Sequence, residues 1–360
     1  MTEFYCGTKI IAGTGALAAL KDMGAKRLMV VTDPYFMKNG TARRLAEQSG
    51  AAHWEIFDRV EPDPSVALAA AGTARVNAFR PDVVVAVGGG SAMDCAQAML
   101  YFSDSDARMV AVPTTSGSGS EVTDFAILTH DGVKHPLVDP RLRPWAAILD
   151  DELLTALPSG LVADAGFDVL SHALEALAAK NAGAVTDALA KDAFCTAFSL
   201  LPESFRGCRQ VRLQIHQAAA MAGMAFTQAG LGLCHALAHS LGGLYHVPHG
   251  RLNAILLPAV VEYNASAAGE KYADLARLAG MGSSADSIAL RNLKNGLIRL
   301  RRQLELPENL AQAGVSPRQV RQDTQKIVEA ALADPCCGTN PVPVTAGALR
   351  QILGEVTGRG

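Results

Sequence analysis

Apolar residues follow two different patterns along the chain. In the first 150 residues, short runs that are apolar on both faces alternate with stretches of helical composition, which is typical of βαβ units. The predicted strands are 28–32, 83–87, 109–112 and 146–149, and the predicted helices are 41–48, 65–79 and 91–101. Strands of this kind are typical of a parallel sheet covered by helices on both sides. The first part of the chain is therefore predicted to be a doubly wound, Rossmann-like α/β domain.

From about Asp151 the chain changes to long Ala/Leu-rich segments with few strand signals. Helices are predicted at 166–180, 183–201, 212–226, 231–244, 268–279, 285–303, 317–333 and 345–356. The change falls in AILDDELLTALPSG, at 150–160, where Pro158 and Gly160 precede the helical segments. We therefore expect an α/β domain at 1–155 and an all-α domain at 156–360.

Composition excludes several classes of protein. Charged residues are 19% and hydrophobic residues 49% of the 360, which excludes a disordered chain, and the formal charge of -3 leaves no basic excess for nucleic acid or an anionic membrane. Residues 218–234 fall short of about 20 predominantly apolar residues, so they are predicted to form a buried core helix. Seven scattered cysteines without a C-x-x-C pair, and no visible signal peptide, favour a reducing cytoplasm.

Two loops that follow predicted strands are candidates for binding a dinucleotide. Gly88–Ser91 comes directly after VVVAV, and Pro113–Thr123 is rich in small hydroxyl residues and glycine. Backbone amides in such loops can approach a pyrophosphate closely, although a glycine turn is often only a turn. Asp33 ends a strand where a carboxylate commonly accepts from the adenosine ribose and repels a 2′-phosphate, which favours NAD over NADP. Its alternative role is that of a turn former before Pro34.

Carboxylate and imidazole residues with metal-ligand spacing occur in the second half. Asp168 and His172 are four residues apart, so a helix would place them on one face. Four of the nine histidines then lie within 15 residues, in an otherwise apolar and Gly-rich segment: His235, His239, His246 and His249. A metalloprotease helix is excluded because Ala236 stands where H-E-x-x-H needs its glutamate. One carboxylate with three imidazoles would suit Fe²⁺ or Zn²⁺.

The motifs GGGSAMD, PTTSGSGSEVT, DVLSHALEA and HALAHSLGGLYHVPHG resemble those of the group III, iron-containing alcohol dehydrogenase family, in the same order along essentially the whole chain. The resemblance implies a metal held by Asp168, His172, His235 and His249. It places His239 near the nicotinamide and substrate as the catalytic candidate. The alternative is a core histidine hydrogen-bonded to the backbone.

The same resemblance implies which residues contact the cofactor and the substrate. The cofactor residues would be Asp33, Gly88, Gly89, Gly90, Ser91, Asp94, Thr114, Thr115, Ser118 and Lys134. His246 would face the substrate pocket, and the apolar helix that carries Phe226 is expected to line the same pocket and limit substrate size. The chain departs from the family pattern in two places. Ala165-Gly166-Phe167-Asp168 lacks the threonine of T-G-x-D, which removes a hydroxyl beside the first ligand, and Ser118 replaces a usual threonine.

The resemblance implies a cytoplasmic NAD(H)-dependent enzyme that reversibly reduces short-chain aldehydes such as propanal to primary alcohols. Fe²⁺, with Zn²⁺ as the alternative, would polarise the carbonyl oxygen in a cleft between the domains. The family resemblance also implies a homodimer or larger homo-oligomer. AGMAFTQAGLGL and LGGLYHVPHG are most similar to members from propanediol-utilising bacterial microcompartments, so a microcompartment shell protein is expected as a further partner. The alternatives are a zinc polyol dehydrogenase of glycerol type, a lactaldehyde reductase, a lyase on a dehydroquinate synthase scaffold, and a non-catalytic NAD-binding sensor or shell-associated protein.

Overall fold

The structure is a computed structural model that describes residues 3–131 and 133–358. Its contacts divide into two compact units. One unit is Cys6–Ala156, and the other comprises the described chain from Leu157 onward together with the residues up to Tyr5. Each unit has its own set of helices, and the strands lie in the first unit.

The first unit is built on a parallel sheet. Its strands are β1 (Lys9–Ala12), β2 (Arg27–Thr32), β3 (His53–Phe57), β4 (Val83–Gly88), β5 (Arg108–Pro113), β6 (Phe125–His130), β7 (Val133–Val138) and β8 (Ala146–Leu149), and its α-helices are α1 (Pro34–Lys38), α2 (Thr41–Gln48), α3 (Val66–Phe79) and α4 (Gly90–Tyr101). Among the described residues, six strands form a parallel sheet in the order β1-β8-β5-β4-β2-β3, while β6 and β7 form a separate antiparallel pair.

The predicted α/β fold of this unit is confirmed, and the buried strands β2, β4, β5 and β8 lie where the pattern predicts them. β1 and β3 were missed because they form the two edges of the sheet and are only partly buried, so polar residues interrupt their apolar pattern. The β6–β7 hairpin was also missed. Its two strands stand outside the main sheet and mix polar with apolar residues.

The strand order places a topological switch point between β2 and β4. The chain proceeds from β2 outward to β3 on one side, whereas β4, β5 and β8 extend on the other side. Open α/β sheets bind ligands at such a point, outside the carboxyl ends of the strands. Asp33 directly follows β2, and the glycine loop begins at the end of β4. Two of the cofactor candidates predicted from the sequence therefore lie at this position.

All described strands belong to the first unit, and the second is helical, as predicted. Its helices are α5 (Ser159–Ala178), α6 (Ala184–Phe205), α7 (Arg212–Ala229), α8 (Leu233–Tyr245), α9 (His249–Leu278), α10 (Asp286–Gln303), α11 (Pro317–Ala333), α12 (Cys336–Thr339) and α13 (Ala346–Thr357). Helix α5 is central: it is buried along most of its length and packs against α6, α7 and α9. Within the described residues, every helix is too short or too polar to span a membrane.

Two helix predictions were wrong. Residues 218–234 are not one core helix, because α7 ends at Ala229, Gly230 has a φ of 89°, and α8 begins only at Leu233. Helix α9 begins at His249 rather than near 268 and continues through Pro258 for 30 residues. Tertiary packing supports this long helix against the tendency of an internal proline to end it.

Candidate active site

Four side chains with metal-binding atoms meet in the second unit. Asp168 and His172 come from α5, His235 from the first turn of α8, and His249 is the first residue of α9. The distance from Asp168 Oδ1 to the Nε2 atom of His172 is 4.0 Å, to that of His235 3.9 Å and to that of His249 3.5 Å. We call these four residues the four-donor cluster. The structure thus brings together all four residues that the family resemblance implies as ligands.

Close packing at the start of α9 helps to bring His249 to α5. A Cβ atom on Gly250 would lie 1.9 Å from the backbone oxygen of Asp164, so only glycine permits this approach of the two helices. Next to it, the guanidinium of Arg251 donates two hydrogen bonds to the Asp164 carboxylate, of 3.1 and 3.0 Å. Asp164 lies one helical turn before Asp168. The pair therefore connects α5 and α9 directly beside two of the donors.

Glu175 orients His235, and sequence reasoning missed it. Its carboxylate lies 2.6 Å from His235 Nδ1 and accepts hydrogen bonds from the backbone N–H groups of Gly232 and Cys234. With the proton held on Nδ1, the Nε2 lone pair of His235 points into the cluster, as metal-binding histidines require. A signal was present in the sequence: Asp168, His172 and Glu175 follow the i, i+4, i+7 spacing of one helix face.

Burial sets the protonation of this site. It lowers the pKa of both His235 and His249 well below the ordinary range, so both imidazoles are neutral and can donate a lone pair. Burial also raises the pKa of Glu175 to about 7, against the lowering effect of the backbone N–H groups that it accepts from. The dry surroundings thus favour neutral ligands around one carboxylate, Asp168.

Asn253 is a second residue that the sequence analysis missed. Its Nδ2 donates to Asp168 Oδ1 at 2.8 Å and lies 3.2 Å from His249 Nε2. Asn253 is four residues after His249 on α9, so the helix places both side chains on the same face. It holds the carboxylate of Asp168 toward the three imidazoles.

The donors fit a divalent metal ion. All four ligand atoms lie within 4.8 Å of one another. Bonds of about 2.1 Å in a tetrahedral site separate neighbouring ligand atoms by about 3.4 Å. The separations from Asp168 Oδ1 in the structure are 3.5–4.0 Å, so a small contraction would bring these atoms to coordination distance. One carboxylate and three imidazoles are hard and borderline donors, suited to Fe²⁺ or Zn²⁺.

His239 lies beside the four-donor cluster but faces a different partner. Its ring stacks on that of His249, with centroids 5.3 Å apart, and its Nδ1 lies 2.8 Å from Asp334 Oδ2. The hydrogen bond from His239 lowers the pKa of Asp334 to about 2, although burial opposes this. A carboxylate, rather than the backbone expected for an ordinary core histidine, therefore orients this imidazole.

The two pocket candidates lie in different surroundings. Phe226 on α7 is buried and stacks on His172, with ring centroids 4.4 Å apart and an interplanar angle of 28°. His246 is exposed at the C-terminal end of α8, with a φ of 55°. Of the two pocket candidates, Phe226 contacts a residue of the four-donor cluster. Its apolar ring covers the ring of His172.

In the first unit, the two predicted cofactor loops lie side by side. The Thr114 N–H donates to the backbone oxygen of Gly88 at 2.9 Å. A Cβ on Gly89 would lie 3.3 Å from Thr115 Oγ1, and a Cβ on Gly90 would lie 3.4 Å from Ser118 Oγ. The glycines therefore form a cradle that larger residues would fill, with hydroxyl groups along one wall. This arrangement fits a bound pyrophosphate.

The other cofactor candidates surround the loop 61–64. The Ser91 hydroxyl accepts from the Asp63 N–H at 3.3 Å, and Lys134 forms an ion pair with the Asp63 carboxylate at 2.6 Å. Asp94 lies near this pair, and burial raises its pKa to about 8. The structure thus places Ser91, Asp94 and Lys134 together, with Asp63 as their common neighbour.

Comparison with protein families gives two matches that together span most of the chain. A family described as "Iron-containing alcohol dehydrogenase" matches residues 7–151, and one described as "Fe-containing alcohol dehydrogenase family, C-terminal" matches residues 162–357. Each match therefore coincides with one of the two structural units.

Individual relatives are similar along their whole length. The 1-propanol dehydrogenase PduQ of Salmonella typhimurium is 39% identical over 372 residues, covering 99% of this chain and 100% of that protein. The NADPH-dependent butanol dehydrogenase of Clostridium saccharobutylicum is 33% identical, covering 98% of this chain and 97% of that protein. A solved structure of sulfoacetaldehyde reductase from Bifidobacterium kashiwanohense, in complex with NAD⁺, superposes with a TM-score of 0.89 at 26% identity, covering 99% of this chain and 98% of that one.

Proposed function

The chain belongs to the iron-containing alcohol dehydrogenase family, and we propose that it catalyses the reversible, NAD(H)-dependent reduction of short-chain aldehydes to primary alcohols. The observation that carries this proposal is the convergence of Asp168, His172, His235 and His249, with Glu175 holding the His235 tautomer. We propose these four residues as the ligands of Fe²⁺, with Zn²⁺ as the alternative.

When bound, the divalent ion would supply Lewis acidity at the substrate oxygen, and the nicotinamide would supply or accept the hydride. The chain's own side chains orient the metal ligands and transfer the proton to or from the substrate. Asn253 and Glu175 hold two of the ligands in orientation through the contacts described above. Phe226 covers the His172 ring and keeps water from that side of the site.

His239 is proposed as the group that moves the proton. Because Asp334 accepts from Nδ1, the proton of the neutral ring resides there, and Nε2 can accept a proton when an alcohol is oxidised. The imidazolium formed would be stabilised by the Asp334 carboxylate, whose low pKa keeps it ionised. In the reducing direction the same nitrogen would return the proton.

The choice of NAD over NADP is proposed from Asp33. Its carboxylate lies at the switch point of the sheet beside the glycine loop, where it would accept from a ribose hydroxyl and repel a 2′-phosphate. The relatives include an NADPH-dependent butanol dehydrogenase, so the family fold by itself does not select the cofactor. Selection then rests on the individual residue at this position.

Propanal is the aldehyde we propose to be reduced. The similarity to a 1-propanol dehydrogenase and the apolar surface of Phe226 both favour a short aliphatic substrate. We extend the proposal to a homo-oligomeric enzyme in the cytoplasm, enclosed in a bacterial microcompartment with a shell protein as its partner. That extension rests on the similarity to PduQ.

The test is anaerobic NADH oxidation with propanal, on protein stripped of metal and reloaded separately with Fe²⁺ and Zn²⁺. We expect turnover to return chiefly with Fe²⁺ and to be much slower with NADPH. Each preparation also receives glycerol with NAD⁺, and activity confined to glycerol would replace the proposal with a polyol dehydrogenase. His249→Ala is the control, since it removes a ligand and should abolish turnover with either metal. Turnover unaffected in that variant would overturn the assigned metal site.

A further inference from the structure

A second group of metal-binding side chains lies next to the four-donor cluster. His239 on α8, Asp334 just after α11 and Cys336 at the start of α12 offer ligand atoms that all lie within 4.8 Å of one another. None of the three belongs to the four-donor cluster. Their donors are an imidazole nitrogen, a carboxylate oxygen and a sulfur.

Hydrogen bonds already orient these donors toward each other. The Cys336 N–H donates to Asp334 Oδ1 at 2.8 Å, which turns the other carboxylate oxygen, Oδ2, toward His239 Nδ1 at 2.8 Å. The side chains of His239 and Asp334 remain 26% and 14% exposed, so an ion from solution can reach them. Two of the donors are contributed by the three-residue segment 334–336, in which Pro335 restricts the backbone.

We propose that His239, Asp334 and Cys336 form a second divalent-cation site, suited to a thiophilic ion such as Zn²⁺, and that its occupancy inhibits the enzyme. Zn²⁺ is bound in proteins by His nitrogen, carboxylate oxygen and Cys sulfur, and three protein ligands with a fourth position open to water are a common arrangement. The thiolate distinguishes this site from the four-donor cluster, whose ligands are nitrogen and oxygen only.

Binding involves a defined proton balance. Burial, reinforced by the nearby Asp334 charge, raises the pKa of the Cys336 thiol well above its usual range, so the thiol must release its proton to solvent when the ion binds. His239 ligates through Nδ1, and its ring proton moves to Nε2. The Nδ1 hydrogen bond to Asp334 is replaced by two bonds to the ion.

This tautomer change explains the inhibition. With Nδ1 on the ion, Nε2 carries the proton and can no longer accept one from an alcohol. The inhibitory part of the proposal therefore rests on the role proposed for His239, whereas cation binding at the second site does not.

Cobalt(II) added to metal-free protein is the direct probe, because a thiolate ligand produces a near-ultraviolet charge-transfer band that nitrogen and oxygen ligands do not. We expect the band to grow only after the first equivalent has filled the four-donor cluster. Cys336→Ser should abolish the band, and Asp334→Asn should weaken cobalt binding. The matched control is Cys337→Ser, because the Cys337 thiol instead contacts the backbone oxygen of Ala331 and its loss should leave the band intact.

The absence of a band over several equivalents, or a band that survives in Cys336→Ser, would overturn the second site. This spectrum requires no turnover, so its outcome is independent of the proposed reaction. The activity arm adds Zn²⁺ to iron-loaded enzyme during oxidation of 1-propanol by NAD⁺, the direction in which Nε2 of His239 must accept a proton. Loss of a residue that only hydrogen-bonds to a metal ligand weakens metal binding by about 10- to 100-fold. Cys336→Ser removes a ligand itself, so the Zn²⁺ concentration that gives half-inhibition should rise by at least that factor. Equal inhibition of wild type and Cys336→Ser would overturn the inhibitory role.

Discussion

Asp33 uses its two carboxylate oxygens differently. Oδ1 accepts from the backbone N–H groups of Tyr35 and Phe36, at 2.8 and 3.2 Å, and so caps helix α1. Oδ2 lies toward the glycine loop, 3.8 Å from where a Cβ on Gly88 would be. The turn-forming role and the cofactor role therefore do not exclude each other, because a carboxylate offers acceptors on both oxygens.

Asp33→Asn separates these two roles. Asparagine caps helices as well as aspartate does, so α1 should be retained, but the charge that would repel a 2′-phosphate is lost. We expect the ratio of kcat/KM for NADH to that for NADPH to fall by about 10- to 100-fold. Steady-state kinetics with both cofactors measures it, and an unchanged melting temperature is the control for the cap. An unaltered ratio would remove Asp33 from cofactor selection.

Glu121 is a buried carboxyl in the second predicted cofactor loop. Burial raises its pKa from an ordinary value of 4.5 to about 7. The folded chain therefore holds this proton more tightly than the unfolded chain does. The resulting stabilisation is fully present below about pH 4.5 and is lost as the pH rises through about 7.

Glu121→Gln should consequently change the pH dependence of stability. The variant is expected to resemble the wild type near pH 5 and to be more stable by up to about 3 kcal/mol near pH 8, where the wild type must bury a charge. Urea unfolding at the two pH values measures this difference. If the variant and the wild type differed in stability by the same amount at both pH values, the difference would come from packing. The raised pKa assigned to Glu121 would then be contradicted.

At the scale of elements, the N-terminus of α8 is closed by residues from distant parts of the chain. Gly232 occupies the cap position and has no side chain to accept a hydrogen bond, so the first N–H groups need other partners. Glu175 accepts from Cys234 N–H at 2.6 Å, and Asn340 accepts from Leu233 N–H at 3.1 Å. The helix that carries His235 and His239 is thus held in place by α5 and by the segment after α12.

Glu175→Gln should weaken metal binding more than it weakens the fold. Both carboxylate oxygens accept from N–H groups, so the amide NH₂ of glutamine must face at least one donor. If it faces His235, the ring proton moves to Nε2 and blocks that ligand. We expect metal affinity to fall by about 10- to 100-fold, measured by chelator competition.

Asn340→Ala is the matched control for that variant. It removes an acceptor at the N-terminus of the same helix and leaves the His235 tautomer unchanged. We therefore expect it to lower the melting temperature but to reduce metal affinity less than Glu175→Gln does. If the two variants lost metal equally, Glu175 would act only through the position of α8.

At the scale of the whole molecule, an ion in the four-donor cluster would connect three helices, α5, α8 and α9. A ligand that binds only the folded state stabilises it by about 2.7 kcal/mol at a free concentration of 100 times its Kd. Removal of metal by a chelator should therefore lower the melting temperature, and refilling should restore it in a concentration-dependent way.

Hydrogen exchange should locate that effect. Loading with Zn²⁺, which avoids iron oxidation, is expected to slow exchange in α5, α8 and the first turns of α9, with little change in the sheet of Cys6–Ala156. His249→Ala should show neither the slower exchange nor the rise in melting temperature. Equal protection of both units on loading would contradict a site confined to these helices.

Features that depend on neighbours along the chain could be predicted from the amino-acid sequence alone. The buried strands β2, β4, β5 and β8 and most helices follow from local apolar period, and the clustering of Asp168 with His172 follows from one helical turn. The edge strands were hidden, because one exposed side disrupts the apolar pattern. The cofactor and metal roles remain predictions.

Contacts between residues far apart in the sequence depend on how the helices pack. Glu175 and His235 are 60 residues apart, and His239 and Asp334 are 95 apart. No local period links such pairs, because helix packing brings them into contact. The same packing buries His235 and His249 and thereby holds them neutral. The orientation and protonation of the site are therefore properties of the fold, whereas its four candidate donors could be named from the sequence motifs and their family resemblance.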